Sequence, residues 1–321
     1  MSQAERHDKA PAGACHVPVM LHEALALLRP CPGGRYVDGT LGGGGHAEAV
    51  LEASAPDGQL LGIDRDEEAR RRASRRLARF APRVHIVAAR FDQLGECLEQ
   101  LGWGGVDGIL LDLGISSFQL DEAERGFAFT REGPLDMRMD RSASIPLAAW
   151  LHAVSEAELR RVLRQYGEEP QARRIARAIV AAERRGELRD TAALAALVAR
   201  VVGRSPGHHP ATRTFQALRI AVNGELESLE RFLADAYRLL RPGGRLVALA
   251  YHSLEDRLVK QAFRLWGRSC LCPSSMPVCR CNWSRKSTLL TPRPLRPSGA
   301  EVAGNPRARS ARLRAVERLA A

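Results

Sequence analysis

Residues 37–46 read Val37-Asp38-Gly39-Thr40-Leu41-Gly42-Gly43-Gly44-Gly45-His46, and no other part of the chain restricts the fold so strongly. Glycine gives up more backbone entropy on folding than any other residue, so a run this rich in it rules out helix or strand interior. Tyr36-Val37 leads into the run, and Ala47, Val50 and Leu51 come after it at helical spacing. The segment therefore reads as strand, tight loop and helix. Such a loop offers the free N–H groups of a helix start and lets the main chain approach a ligand where a Cβ would clash. A purely structural turn is the alternative. Two familiar phosphate-binding spellings are missed: no Lys comes next as in GxxxxGK[ST], and Ala47 stands where the third glycine of GxGxxG belongs.

The pattern continues with LLGID (60–64), an Arg-rich helix (67–80), VHIVAA (84–89), a short helix and GILLDLG (108–114). Short apolar runs alternating with helices predict parallel strands with crossover connections, an α/β fold. Asp64 ends the second strand 20 residues beyond Gly44, placed to accept hydrogen bonds from both hydroxyls of a ribose. It can also cap the helix that starts near Asp66, Glu67 and Glu68, and the two roles are compatible. A glycine loop and an acid without a phosphate signature imply an adenosine-bearing cofactor lacking phosphates, which S-adenosylmethionine fits. Phe91 comes after the third strand, suited to packing on adenine or into the core. Asp112 ends a buried strand at the sheet edge where open α/β folds bind ligands; a simple cap at the strand end is the alternative.

At 321 residues the chain holds about two domains' worth of sequence, and its composition, 45% hydrophobic and 26% charged, is that of a globular protein. Residues 1–120 are expected to form the first part of the α/β core. Residues 121–210 change character: LHAVSEAELRRVLRQYGEE, ARRIARAIVAAERRGEL and TAALAALVARVVGR repeat apolar residues only at helical spacing. Leu159, Val162 and Leu163 share a face, as do Ile175, Ile179 and Val180, so an all-helical insert is expected. The core resumes over 211–263, with one apolar stripe along a helix 215–240 (Phe215, Leu218, Val222, Leu226, Leu229, Leu233), a Pro242-Gly243-Gly244 turn and a buried strand Arg245–Tyr251. Residues 264–321 carry 12 basic and two acidic side chains, +10 of the net +11. They read as a loop-rich basic arm closing in a short helix near 307–319. So concentrated an excess points to a polyanionic partner, with a solvated tail as the alternative. No apolar run is long enough to span a membrane, and the N-terminal MSQAERHDKAPAGA has no signal-peptide core, so a soluble cytoplasmic protein is expected.

Longer strings make a resemblance specific. Asp38-Gly39-Thr40, Gly44-Gly45-His46, Ile63-Asp64-Arg65-Asp66, Leu111–Ser117 and Gln119-Leu120-Asp121 resemble the bacterial 16S rRNA cytosine-N4 methyltransferase (MraW) family. So do Glu124–Phe127, Gly133–Met139, His209–Gln216, His252–Arg257 and Asn305–Ser310, and the match runs from about His16 to Arg318. The resemblance implies a Rossmann-like S-adenosylmethionine-dependent methyltransferase sheet with an inserted helical domain. It implies that Gly44, Gly45, His46, Asp64, Phe91, Asp112 and Gln119 contact the cofactor, and that the partner is 16S rRNA of the small ribosomal subunit, without a membrane; a homodimer is compatible. The chain departs from the family's pattern at Gly43, where Arg is common, at Phe118, where Pro is common, and at Tyr251, where Phe is usual.

Methyl transfer from a sulfonium is an in-line displacement, so the protein must position the nucleophile and exclude water. The exocyclic amine of cytosine is weakly nucleophilic, and an acceptor for its protons favours the reactive form. Asp112 with the carbonyls of Leu113–Ile115 is the expected acceptor set. Methylation at ring carbon needs a thiolate, and no cysteine lies at a predicted strand end. Asn223-Gly224 interrupts a helix with two weak helix formers, which marks Asn223 as a residue near the target base or a simple kink. Ser253 is the expected cap of the next helix, with Asp256 three residues on, and His252 is expected to contact substrate. Arg125-Gly126-Phe127 and Met137-Arg138-Met139 offer cation and apolar contacts for an unstacked base. Cys270, Cys272, Cys279 and Cys281 suffice in number for a metal, but C-x-C spacing is less usual than C-x2-C, and no metal site is assigned. A tRNA or DNA amine methyltransferase, or a non-catalytic assembly factor that binds RNA, are the other functional readings.

Overall fold

The computed structural model describes residues 18–142, 145–203, 209–273, 276 and 278–320; the N-terminal segment with Cys15 lies outside them. After α1 (Leu21–Leu28) the chain alternates as its apolar runs require: β1 (Arg35–Asp38), α2 (Gly45–Ala53), β2 (Gln59–Ile63), α3 (Glu67–Leu77), β3 (Val84–Val87), α4 (Leu94–Gln100) and β4 (Val106–Asp112). The short α5 (Ser117–Asp121) leads to α6 (Leu147–Ala153), α7 (Glu156–Gly167), α8 (Ala172–Arg184), α9 (Thr191–Val202) and α10 (Thr212–Asn223). The chain returns through α11 (Glu225–Leu239), β5 (Leu240–Ala250), α12 (Ser253–Trp266), β6 (Ser287–Leu289), α13 (Gly299–Gly304) and β7 (Arg312–Arg318).

All seven strands form one sheet in the order β3-β2-β1-β4-β5-β7-β6. The first five are parallel, and β7 and β6 are added antiparallel at one edge. This is the doubly wound, Rossmann-like arrangement, with β1 and β4 flanking the point where strand order reverses. Successive residues of a strand point into opposite layers. Tyr36, Leu60, Leu110 and Val247 pack with Leu28, Val50 and Leu77 on one face. Val37, Leu61, Leu111 and Ala248 pack with Leu98, Phe232 and Phe263 on the other. Burial on both faces is why these strands read as unbroken apolar runs.

The helical insert has a core of its own, which includes Leu159, Val162, Leu163, Ile175 and Ile179, with Val180 at its margin. Phe215, Ala217 and Leu218 belong to that core, so the helical unit extends through α10, beyond position 210. The single helix expected over 215–240 is two helices. Gly224, at φ 58°, ends α10 and starts α11, which divides the expected stripe: Phe215 and Leu218 face the insert, Leu229 and Leu233 the sheet.

The C-terminal arm also differs from expectation. The segment near 307–319 is a 3-10 turn (Pro306–Ser310) followed by β7, not a helix. Leu313 and Ala315 alternate into the core, and the intervening Arg314 is buried against Asp256, its Nε and Nη2 donating at 2.6 and 3.2 Å. Arg312 donates to the same carboxylate at 3.0 Å, and Arg245 pairs with Glu317 across the strands at 2.9 Å. Part of the arm's charge is therefore neutralised inside the fold.

Candidate functional site

The carboxyl ends of β1, β2 and β4 open into a cleft of about 900 Å³, walled by the glycine loop, residues 112–122, Met139 and Arg219 from the helical unit, Glu225 at the start of α11, and Arg307 and Ser310 from the C-terminal turn. Of the sequence-predicted residues, Gly45, His46, Asp64, Phe91, Asp112 and Gln119 line it.

Gly44 does not. It sits at φ 78° with its missing Cβ 3.3 Å from Ala73 on α3, so this glycine lets the loop pack on the protein itself. A Cβ on Gly45 would meet Pro18 at 2.5 Å, whereas Gly43 faces open space. That space accommodates a larger residue. Gly42 adopts φ 50°, which turns its N–H onto Asp64 Oδ2 at 2.8 Å.

Asp64 Oδ1 accepts from Asp66 N at 2.8 Å. Each carboxylate oxygen thus has one main-chain donor and keeps acceptor capacity toward the cleft. Burial raises the pKa of this group, against the pull of the two N–H bonds. Asp64 does not cap α3; Asp66 does, accepting from Glu68 N at 3.0 Å. Asp66 Oδ2 also accepts from Gln119 Nε2 and Arg125 Nη2, both at 2.7 Å. One buried carboxylate therefore joins α3, the loop beyond β4 and the insert. Gln119 Oε1 takes Ser116 N at 3.0 Å, so the amide is committed within the protein while the residue still lines the cleft. Phe118 replaces nothing in that cap and carries the Arg72 guanidinium over its ring at 4.9 Å.

Asp112 is held from three sides. Its N–H donates to Thr40 Oγ1 at 2.6 Å, Tyr251 OH donates to Oδ1 at 2.6 Å, and His46 Nδ1 stands 3.6 Å from Oδ2. His46 is itself fixed through Nε2, 3.1 Å from the Val19 carbonyl. Burial, aided by the Asp112 charge, keeps the Tyr251 phenol well above its ordinary pKa, so it stays a donor. Beneath this network Asp38 is almost fully buried, and burial pushes its carboxyl up to about 7 although His46 and the Thr40 N–H pull it down. Several cleft arginines already have carboxylates: Arg72 with Glu122 at 2.8 Å, Arg219 with Glu225 at 2.9 Å and Arg307 with Asp121 at 2.8 Å. The acids at the strand tips are instead held by N–H, hydroxyl and imidazole groups.

Three expected contacts are made otherwise. Asn223 is buried and points into the insert, Oδ1 accepting from Met139 N at 2.8 Å and Nδ2 donating to Met137 O at 2.7 Å and Arg219 O at 2.9 Å. It clamps the strained turn at Met137, which has φ 57°, and does not reach the cleft wall. His252, not Ser253, caps α12: its Nδ1 accepts from Glu255 N at 3.4 Å, and Glu255 accepts in return from Tyr251 N at 2.9 Å. Ser253 Oγ donates to Glu168 at 2.6 Å, and Asp256 serves β7 instead. Arg125 is buried on Asp66, Arg138 pairs with Asp136 at 2.6 Å, and Phe127 and Met137 are core; of those stretches only Met139 reaches the cleft. Thr40, Asp66, Glu255 and Arg219 were not singled out by the sequence. The contact between Asp66 and Arg125 bridges 59 positions.

The model of the MraW methylase family matches residues 13–319. The chain is 54% identical over 311 residues to the ribosomal RNA small subunit methyltransferase H of Thermomicrobium roseum, covering 97% of this chain and 95% of that one. It is 49% identical over 309 residues to the protein of the same name from Symbiobacterium thermophilum, covering 95% and 97%.

Proposed function

The chain belongs to the MraW methylase family, and from that premise we propose that it methylates N4 of a cytidine in 16S rRNA of the small ribosomal subunit, in the cytoplasm, with S-adenosylmethionine as donor. The observation that carries the reading is the pair of oriented carboxylates, Asp64 and Asp112, at strand tips of one cleft.

The residues fit that donor. Asp64, steadied by two N–H groups, has lone pairs left for vicinal hydroxyls, and Phe91, which also packs on Phe232, stands in the same wall. Carboxylates at the strand tips suit a cationic ligand and repel phosphates. Bound there, S-adenosylmethionine supplies an electrophilic methyl group on a sulfonium. The work of the chain is to present the amine in line and keep water out. Asp112, oriented by Thr40, Tyr251 and His46, accepts a hydrogen bond from the amine and with it directs the nitrogen lone pair toward the methyl group; the N–C bond would form as the C–S bond breaks, S-adenosylhomocysteine would leave as a neutral thioether, and the surplus amine proton would pass to solvent. Leu113, Gly114 and Ile115 line the same wall, and their carbonyls are the further acceptors this reading assigns. A cytosine must leave its stack to enter such a cleft. The exposed arginines of α7 and α8, Arg160, Arg161, Arg164 and Arg173, line a separate groove suited to RNA phosphates.

The test uses small subunits from cells lacking the chain, incubated with purified protein and S-adenosylmethionine and digested to nucleosides for mass spectrometry. N4-methylcytidine supports the reading. Unmodified cytidine, 5-methylcytidine, or methylation only of tRNA or DNA offered in parallel overturns it.

A further inference from the structure

Four cysteines the methyl-transfer site leaves unused come together beyond α12. Cys270, Cys272, Cys279 and Cys281 place all their sulfur atoms within 4.8 Å of one another. Cys270 Sγ is 3.4 Å from Cys279 Sγ and 3.7 Å from Cys281 Sγ, and Cys279 is 3.5 Å from Cys281. Four thiolates about 2.3 Å from a tetrahedral zinc ion have edges of about 3.8 Å. Disulfides would instead pair the sulfurs two and two at about 2.05 Å. The arrangement is that of a cage, reached from two C-x-C arms, one leaving α12 and one approaching β6.

Main-chain donors support the sulfurs. Leu271 N donates to Cys281 Sγ at 3.3 Å, Cys272 N to Cys270 Sγ at 3.3 Å and Arg280 N to Cys272 Sγ at 3.4 Å. N–H groups aimed at thiolates are the outer shell that orients metal ligands and spreads their charge. Among the described residues of this loop, Leu271 and Val278 are exposed, the latter 66%, and the hold outside the sulfur cluster is polar: Trp283 Nε1 donates to Arg268 O at 3.0 Å and Lys286 N to Trp266 O at 2.8 Å. A metal held by four thiolates would add to that hold, because binding it is coupled to ordering the segment.

We propose that Cys270, Cys272, Cys279 and Cys281 form a structural zinc site that staples the loop between α12 and β6. One Zn²⁺ binds four thiolates, the four thiols releasing their protons to solvent, and nothing is oxidised or reduced. Four protein ligands leave no open position, so the ion takes no part in methyl transfer. Arg268, Arg280, Arg285 and Lys286 lie near the four cysteines in sequence, a local positive charge opposite in sign to that of the four-thiolate site.

Full-length protein purified without chelator and analysed by elemental mass spectrometry is expected to carry about one zinc ion per chain. A Cys279→Ser/Cys281→Ser variant loses the ion and keeps its far-ultraviolet dichroism. Refolding the wild type with cobalt(II) chloride is expected to give the visible bands of tetrahedral thiolate coordination. Zinc below about 0.1 ion per chain after refolding with excess zinc chloride overturns the proposal. So do unchanged zinc in the double variant, octahedral cobalt bands, or two disulfides in protein prepared under reducing conditions. Should the double variant fail to fold, mercurial titration of the wild type decides: zinc released in step with these thiols supports the cage, and zinc retained after they are blocked refutes it.

Discussion

Asp64→Asn isolates what the acid at the tip of β2 does. Both oxygens of the wild-type carboxylate accept main-chain N–H groups at 2.8 Å, from Gly42 and from Asp66. In the variant one oxygen becomes an NH₂, so one of those N–H groups faces a donor. Losing a hydrogen bond to a charged group costs about 1.5–3 kcal/mol. Burial already works against the charge at Asp64, and removing the charge offsets part of that loss, leaving about 1–2 kcal/mol for the fold. Donor binding suffers separately, because two hydroxyls would then share one neutral acceptor. Loss of about 1.4–2.7 kcal/mol corresponds to a Kd for S-adenosylmethionine raised about 10- to 100-fold. Calorimetric titration with donor reads the affinity, and urea unfolding of the free protein reads the fold. A variant that unfolds within about 2 kcal/mol of wild type yet binds donor within about twofold refutes the hydroxyl-binding role.

Asp112→Asn keeps the side-chain shape but weakens the acceptor; turnover on small subunits is expected to fall about 10²–10⁴-fold with donor affinity changed far less, and wild-type turnover would remove Asp112 from the chemistry. Asp66→Ala strands Arg125 in the interior and removes the α3 cap, and about 3–5 kcal/mol of unfolding free energy should be lost in denaturant titration; a loss under about 1 kcal/mol contradicts a structural joint at Asp66. Asp38 is held at about 7 against 3.8 in an unfolded chain. The unfolded state therefore releases this proton first, and the folded protein loses up to about 4 kcal/mol from this group as pH rises through that window. Asp38→Asn should narrow the difference in melting temperature between about pH 5 and about pH 8, and an unaltered pH profile would show that Asp38 ionises normally.

The parallel part of the sheet was legible because its inner strands β1, β2, β4 and β5 are buried on both faces, leaving apolar runs that alternate with helices. Asp64, Phe91 and Asp112 stand out on that basis, since strand tips in such a sheet converge. What sequence could not display was pairing between distant positions. Arg312 and Arg314 look like a basic tail until Asp256 of α12, 58 positions away from Arg314, takes up both guanidinium groups against β7. Asn223 looks like a residue exposed by a broken helix rule, but its amide holds Met137 and Met139. The cap of α3 fell to Asp66 because Gly42 N claims one oxygen of Asp64. His252 rather than Ser253 caps α12 because Glu255 closes the box, while Glu168 from the insert takes the serine hydroxyl. The glycine run has the spelling of a ligand loop, but two of its members, Gly44 and Gly45, are required by Ala73 and Pro18.

Every functional role proposed for these residues requires that the cleft above β1, β2 and β4 hold the methyl donor. A crystal structure of the full chain grown with S-adenosylmethionine tests this without intermediaries. Donor density is expected between Gly42–His46 and the Asp64 and Asp112 carboxylates, with the ribose hydroxyls on Asp64. Donor density elsewhere, in the α7–α8 groove for instance, or a cleft filled by its own side chains at saturating donor, would contradict it.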